Sequence, residues 1–502
     1  MPAWLSELLP IFILLAVVAV VIARLPKVKE VTHSQAFRRR RVLNWLPLGL
    51  AYAFLYMGRY NLKVSQHVFE QMTNVHGHGL MTNTSFATIF GVGTAVYGVA
   101  FLLNGPLTDR FGGKKAILTG TAGAAVMNMA MAAASWTVQS HGPGSAFIGE
   151  HFVSLFSILY AVNMYFQSFG AVAIVKVNAP WFHVRERGVF GAIFGILISL
   201  GVYFAFDWSY KIISFFGTDP KLHDAAGRVP YVFFVPAAIL VVMWVIVAFW
   251  VKNTPGEAGF DDFDTADASS GDDGPSLKAF EVIKLMFRNP VVMTIACVEF
   301  CSGFLRQAIM QWYRTFAKHT DGALGNMDSF VYENWGLLLC CAGILGGVVA
   351  GVISDHGFQS RRGPVAAILY GGLLAASITL LLTYKMSVVG WLAVIMSLFV
   401  IGVHGMLSGT ASMDFGGKKN VGIAVGIIDG FVYAGTALMA LTYGLLLPEE
   451  ELDAAGKIVG PSTDPSNWVA WPAAMIPVAL IGLLLATRLW NAKPKSTKPA
   501  KA

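Results

Sequence analysis

"GPLTDRFGGKK" (Gly105–Lys115) closes an apolar run that begins near residue 85, and "GVISDHGFQSRR" (Gly351–Arg362) closes another that begins near 335. Each places an Asp four residues after a Gly, with a basic cluster just beyond. A glycine there lets neighbouring helices approach closely. The carboxylate, Asp109 or Asp355, can then reach a helix N-terminus or a basic partner and latch one conformation. Arg110 belongs to the same turn. A single copy reads equally well as a solvated turn. Two copies at matching places predict an internal duplication.

The runs between them define what is duplicated. The chain has 502 residues, of which 55% are hydrophobic and only 13% charged, whereas soluble globular chains carry roughly 25% charged residues. Stretches of about 18 to 25 apolar residues are long enough to span a bilayer. They occur near 5–25, 43–66, 85–107, 115–136, 146–175, 188–208, 229–251, 290–316, 335–354, 364–384, 387–409, 421–446 and 468–490. The first competes with a removed signal peptide, but it lacks a basic start and a clear small-residue cleavage site. The expected fold class is therefore an all-α membrane protein. Twelve transmembrane helices form two six-helix halves, residues 43–251 and 290–490, preceded by an extra N-terminal transmembrane helix in 1–30. Residues 252–289 make a linker, whose "FDDFDTADASSGDDG" (260–274) reads as solvated and flexible. Residues 491–502 are a basic tail.

Charge placement orients the chain. The formal net charge is +7, and 26 of the 36 Lys and Arg residues fall in the connections on one side of the spans against six on the other. The rich side is expected to be cytoplasmic. This puts the linker and C-terminus in the cytoplasm and the N-terminus outside, in an inner or plasma membrane. Basic residues confined to short loops do not suggest a nucleic-acid partner. Cys297, Cys301, Cys340 and Cys341 are too few for a disulfide framework and have no flanking His, so they read as packing residues. Neither a metal nor a cofactor is expected, and no nucleophile or phosphate loop suggests an enzyme. The expected partners are the bilayer and a small anion, with the protein a monomer.

Four basic residues have no topological role: Arg59, Lys63, Arg306 and Arg314. A charge inside a span costs several kcal/mol. Arg59 and Arg306 each lie in the first helix of a half, in "LYMGRYNL" and "SGFLRQAIMQW". Duplicated halves face each other, so both can present their charges to one central site. The alternative is snorkelling to an interface, and it fits Arg306 poorly because sixteen residues of span precede it. Two converging guanidiniums offer bidentate donors suited to phosphate or carboxylate, which implies an anionic, dianionic substrate. An empty pair of cations resists enclosure and a bound dianion relieves it, which is the behaviour of an exchanger.

Around this pair, Tyr52 and Tyr56 share the helix face of Arg59 and read as hydroxyl donors or as packing. Lys63 reads as an outer-surface residue. Glu299, two turns before Arg306, can pair with an arginine, bind a proton, or recognise a substrate amine or hydroxyl. The histidines of "HGHG" (76–79) are a poor metal signal. The rows Gly343/Gly347/Gly351 and Gly422/Gly426/Gly430 read as close helix packing.

Taken together, "AYAFLYMGRYN" (51–61), "YFQSFG" (165–170), "WFHVRERG" (181–188), "NTPGEAGF" (253–260), "GFLRQAIMQW" (303–312), "SDHGFQSRRG" (354–363), "IGVHG" (401–405) and "GGKKNVGIAVG" (416–426) resemble the organophosphate:phosphate antiporter family of the major facilitator superfamily. The bacterial glycerol-3-phosphate and hexose-phosphate carriers typify it. The resemblance covers nearly the whole chain from residue 43. It implies a twelve-helix rocker-switch carrier in which Arg59 and Arg306 hold a phosphoryl group and Tyr52 and Tyr56 are site tyrosines. The chain also departs from the pattern. A family lysine falls at Phe101, a histidine and asparagine fall at Ile198 and Ser199, and an asparagine becomes Glu299. The resemblance thus implies exchange of an organic phosphate for inorganic phosphate, with glycerol 3-phosphate itself disfavoured. A sugar-phosphate sensor with a carrier fold and a proton-coupled anion carrier using Glu299 stay open as alternatives.

Overall fold

A computed structural model describes residues 34–74, 79–183, 187–215, 229–265, 279–358, 362–453 and 458–491. The expected extra helix in 1–30, most of the basic tail and three residues of the "HGHG" loop lie outside the described residues.

Twelve helices of sixteen or more residues occur among the described residues. In chain order they are α1 (Gln35–Phe69), α2 (Asn83–Phe111), α3 (Gly113–Gln139), α4 (Phe152–Asn178), α5 (Arg187–Tyr203), α6 (Val229–Trp250), α7 (Pro290–His319), α8 (Trp335–Val352), α9 (Arg362–Thr383), α10 (Val389–His404), α11 (Ser412–Leu446) and α12 (Ala470–Arg488). Among the described residues, ten segments are long and apolar enough to cross a membrane. The apolar part of α8, Trp335–Gly351, is shorter, and α1 is diluted by its arginines, Arg59 and Lys63. The described residues thus form an all-α membrane protein with twelve long helices. Its β structure among the described residues is one short hairpin, Glu451–Leu452 against Ile458–Val459, before α12.

Local chemistry sets the helix ends. Ser34 caps α1, its hydroxyl accepting from the Phe37 N–H at 3.1 Å. Asn289 caps α7 just ahead of Pro290, a pairing of cap and first-turn proline that leaves no wasted donor. Gly112 ends α2 with φ +88°, a left-handed backbone open to glycine at little cost, so α3 starts one residue later. Wide π turns interrupt three spans, at Phe204–Trp208 after α5, Ile353–Gly357 after α8 and Gly405–Ala411 after α10. The last leads directly into α11, so residues 412–420 are helical where a loop is expected.

Of the linker, residues 266–278 lie outside the described residues, while the parts on either side pack against the helices. Asn253 accepts from the Lys114 N–H at 2.9 Å, and Phe260 and Phe263 pack on Phe37 at 5.5 and 6.0 Å between ring centroids. A helix over Ala279–Arg288 then buries Val282 and Met286 against Ile423, Ala424 and Ile427 of α11. Phe260 and Phe263, interleaved with the acids, supply the first contact, and Val282 and Met286 the second, which a count of acidic residues hides.

Glycines bring α2 against α11. A methyl added at Gly105 would lie 2.5 Å from the Gly422 carbonyl oxygen, and one at Gly426 would lie 2.5 Å from the Phe101 oxygen. Gly98 and Gly430 face each other in the same way, at 3.0 and 3.1 Å. The expected row 422/426/430 is thus a backbone contact. The other row is only partly so: Gly343 meets Ser199, while methyls at Gly347 and Gly351 meet nothing within 4 Å. The neighbouring Gly346 makes the close approach instead, to Leu398 and Gly402 of α10.

Gly105→Val is therefore expected to force α2 and α11 apart. Spin labels on their ends near Asp109 and Ile423 should report a longer distance, and an unchanged distribution would refute the contact. Gly347→Ala should leave the melting temperature equal or raised, because alanine favours a helix by about 0.5–1 kcal/mol over glycine.

Candidate functional site

Helical periodicity stacks Tyr52, Tyr56, Arg59 and Lys63 along one face of α1, and that face turns inward. Arg59 is fully buried. Its Nε donates to Gln167 Oε1 at 3.0 Å, Nη1 to Tyr433 OH at 2.7 Å and Nη2 to Tyr97 OH at 2.6 Å. Its guanidinium lies 4.5 Å from the Tyr56 ring, 4.6 Å from Tyr97, 5.7 Å from Tyr433 and 5.9 Å from Tyr60. Each of these contacts is neutral, so the cation is held by hydroxyls, an amide and ring faces. Tyr52 sits one ring further along, edge-on to Tyr56 at 5.4 Å.

Amides fix this shelf. Asn163 and Asn128 donate to the Gly58 carbonyl at 3.0 and 3.1 Å. Asn61 donates to Asn128 Oδ1 at 2.7 Å, and Tyr160 donates to the Arg59 carbonyl at 3.0 Å. Gln167 completes the set by donating to Asn163 at 3.2 Å. Buried polar groups of this kind must be paired, and here the pairing locks α1 to α3 and α4 next to the arginine.

From the other half, α7 brings Arg306, which is 3% exposed and has no hydrogen-bond partner at Nε or Nη2. Tyr433, Tyr56, Tyr60 and Glu299 lie within electrostatic range of it. The two arginines thus share three tyrosines. Gln307 donates to Tyr60 OH at 2.7 Å and accepts from Gln311 at 2.9 Å. Two turns away, Glu299 Oε2 lies 2.7 Å from His404 Nδ1, while Oε1 is buried without a partner. Asp429 accepts from Ser408 at 2.5 Å and is in range of His404, Glu299 and Arg306.

Contacts between the halves lie on both sides of this layer. At the basic end Asp109 accepts from Lys176 Nζ at 2.6 Å and from the Gly422 and Ile423 N–H groups at 3.2 and 3.1 Å. Arg110 is exposed beside the Phe111 ring, and the side chain of Asp355 is outside what is described. At the opposite end Asp207, inside the π turn of the fifth span, accepts from the Gly336 and Leu337 N–H groups at 2.9 and 2.8 Å, at the start of α8. Lys63 is buried rather than at the outer surface. It donates to Gln66 and Thr315, each at 2.7 Å, with Phe86 and Trp312 rings at 4.2 and 4.8 Å. Nearby, Glu70, His319 and Glu450 bring ligand-type atoms within 4.8 Å of one another. Lys318 Nζ, 3.1 Å from Glu70, already places a positive charge there.

The fold brings Arg59, Arg306, Tyr56 and Glu299 together, with Tyr52 next to Tyr56, and adds Tyr97, Gln167, His404, Asp429 and Tyr433, which the sequence did not single out. The available signal was that each is a polar or ionisable residue within an apolar run.

Residues 48–440 match the family model described as Major Facilitator Superfamily. The glycerol-3-phosphate transporter of Bacillus subtilis (strain 168) is 22% identical over 494 residues, covering 93% of this chain and 96% of its own length. The membrane sensor protein UhpC of Salmonella typhimurium is 23% identical, with 82% and 85% covered. The probable hexose phosphate transport protein of Chlamydia pneumoniae is 22% identical, with 69% and 73% covered. Among solved structures, a D-xylose-proton symporter superposes with a TM-score of 0.57 at 15% identity, covering 90% of this chain and 98% of that one. This last likeness concerns the fold alone.

One ionisable group outside the spans gives a pH test. Burial, and then the Glu70 carboxylate, push the Glu450 carboxyl from 4.5 up to about 10. Between those values Glu450 holds a proton in the folded protein that it lacks in the unfolded chain, so its contribution to stability declines as pH rises. The melting temperature is expected to fall from pH 6 to pH 9, and to fall less for Glu450→Gln. Parallel curves would exclude the effect.

Proposed function

The chain belongs to the major facilitator superfamily, and from that premise we propose that it carries an organic phosphate ester in exchange for inorganic phosphate by alternating access. The observation that carries this reading is the pair of buried arginines around shared tyrosines, with two donor nitrogens of Arg306 unpartnered. A phosphoryl group between them accepts from both forks at once, and charge-assisted pairs of this kind are the strong ones. Tyr56 and Tyr433 flank it, with Tyr52 behind Tyr56. The similarity to the glycerol-3-phosphate transporter and the hexose phosphate transport protein supports a phosphate ester as substrate class.

Exchange follows from electrostatics. Arg59 meets only neutral partners among its contacts, so enclosing an empty site keeps a poorly compensated cation away from water. A phosphate dianion offsets that cost and loses its own hydration to fixed donors. Reorientation is therefore fast when the site is loaded with either phosphate species and slow when it is empty. Asp109 and Asp207 act as latches at the two ends, each released when its end opens. The basic end is assigned to the cytoplasm by its excess of Lys and Arg, in a cell membrane, with the monomer as the transporting unit.

A sensor is the second reading, favoured by the match to UhpC over 82% of the chain. Proteoliposomes loaded with phosphate decide between the two. Counterflow of labelled phosphate is expected for the carrier, and folded protein without counterflow would indicate a sensor. Arg59→Lys and Arg306→Lys should each weaken exchange by about 10- to 100-fold, since a charged hydrogen bond contributes about 1.5–3 kcal/mol and lysine lacks the planar fork. Normal exchange in both variants would remove the arginines from the site.

A further inference from the structure

The buried charges of the site are sorted into two layers. Arg59 and Arg306 lie with Tyr56, Tyr60, Tyr97 and Tyr433. Glu299 precedes Arg306 by seven residues on α7, about 10 Å along the helix axis, and Asp429 precedes Tyr433 by four on α11, about 6 Å. Both offsets run towards the basic end, because α7 and α11 each start there. His404 and Ser408, at the end of α10 and in its π turn, complete the second layer. Glu299 is 0% exposed and Asp429 5%.

A site built only for a phosphate has no use for this second layer. Two carboxylates near a bound dianion repel it in a low-dielectric enclosure, and a buried charge is costly without a partner. Glu299 uses one oxygen on His404 and leaves Oε1 with none. An unpaired, fully buried carboxylate oxygen is an acceptor waiting for a donor. An ammonium brings three donors and a compensating charge. A hydroxyl brings one donor and no charge.

Resting on the carrier reading above, we propose that the substrate is a zwitterionic phosphate ester, whose phosphoryl group sits between Arg59 and Arg306 and whose ammonium sits between Glu299 and Asp429. A two- or three-carbon spacer with a hydrogen bond at each end bridges the layers. His404 orients Glu299 so that Oε1 stays free, and Ser408 does the same for Asp429. The departure from the resembled family at Glu299, where an asparagine is expected, then marks a change in what the far end of the substrate carries.

Competition against labelled phosphate in proteoliposomes tests this with two probes of nearly equal size, 2-aminoethyl phosphate and 2-hydroxyethyl phosphate. The amine is expected to compete at a concentration at least tenfold lower. Glu299→Gln and Asp429→Asn should each shrink that ratio towards one. Equal competition by both probes in the unaltered protein would overturn the proposal, as would an amine preference that survives both substitutions. Uptake of the hydroxyl ester driven by an imposed pH gradient, without amine preference, would make the acidic layer a proton relay and equally overturn it. The comparison in the unaltered protein decides the matter even if a variant fails to fold. If labelled phosphate exchanges but the amine has no advantage, only the ammonium site falls; if nothing exchanges, the carrier reading falls with it.

Discussion

A guanidinium at full burial with no carboxylate among its contacts is the constraint that organises this protein. Arg59 cannot shed its proton, so its surroundings must make the charge tolerable. Three neutral acceptors, four ring faces and a fixed amide scaffold do this. Much of the first half can be understood as serving that end. Asn61, Asn128 and Asn163 are tolerated in apolar helices because they bond to one another and to the Gly58 carbonyl. Tyr433 is the only one of the three acceptors supplied by the second half, so α11 completes the compensation of the charge on α1.

The closeness of α11 is made possible by glycine. Along α2 and α11 the backbones approach closely at Gly98, Gly105, Gly422, Gly426 and Gly430, and the Tyr433 ring packs on Tyr97 and Phe101 beside them. Polar bonds also join the halves at the two ends of the site, one set across this seam and one between the fifth span and α8. Asp109 at one end and Asp207 at the other each accept two consecutive backbone N–H groups, beginning in both cases at a glycine.

The long helices and the two buried arginines were legible in the sequence because each is written locally, as run length or as a cation in an apolar run. Asp109 was legible because its spacing recurs. What was hidden depends on neighbours remote in the chain. Asp207 resembles the end of a span until the start of α8 is brought to it, and Lys63 resembles a surface residue until Thr315, Phe86 and Trp312 enclose it. His404 and Glu299 lie 105 positions apart, and nothing in either segment names the other. Gly347 and Gly351 carried the periodicity of a packing row without a partner helix to pack on, so the period alone overstated it.

The two aspartate clasps share a property that bears on how such a chain can change over generations. Their partners are main-chain amides, which every residue except proline possesses. No ordinary substitution in the second half can delete the bond by removing a side chain. Only filling the glycine can, since a methyl at Gly422 would lie 2.8 Å from the Asp109 carboxylate and one at Gly336 would lie 2.6 Å from Asp207. Each clasp is therefore tied to just two positions, one carboxylate and one absent side chain, whatever stands beside them.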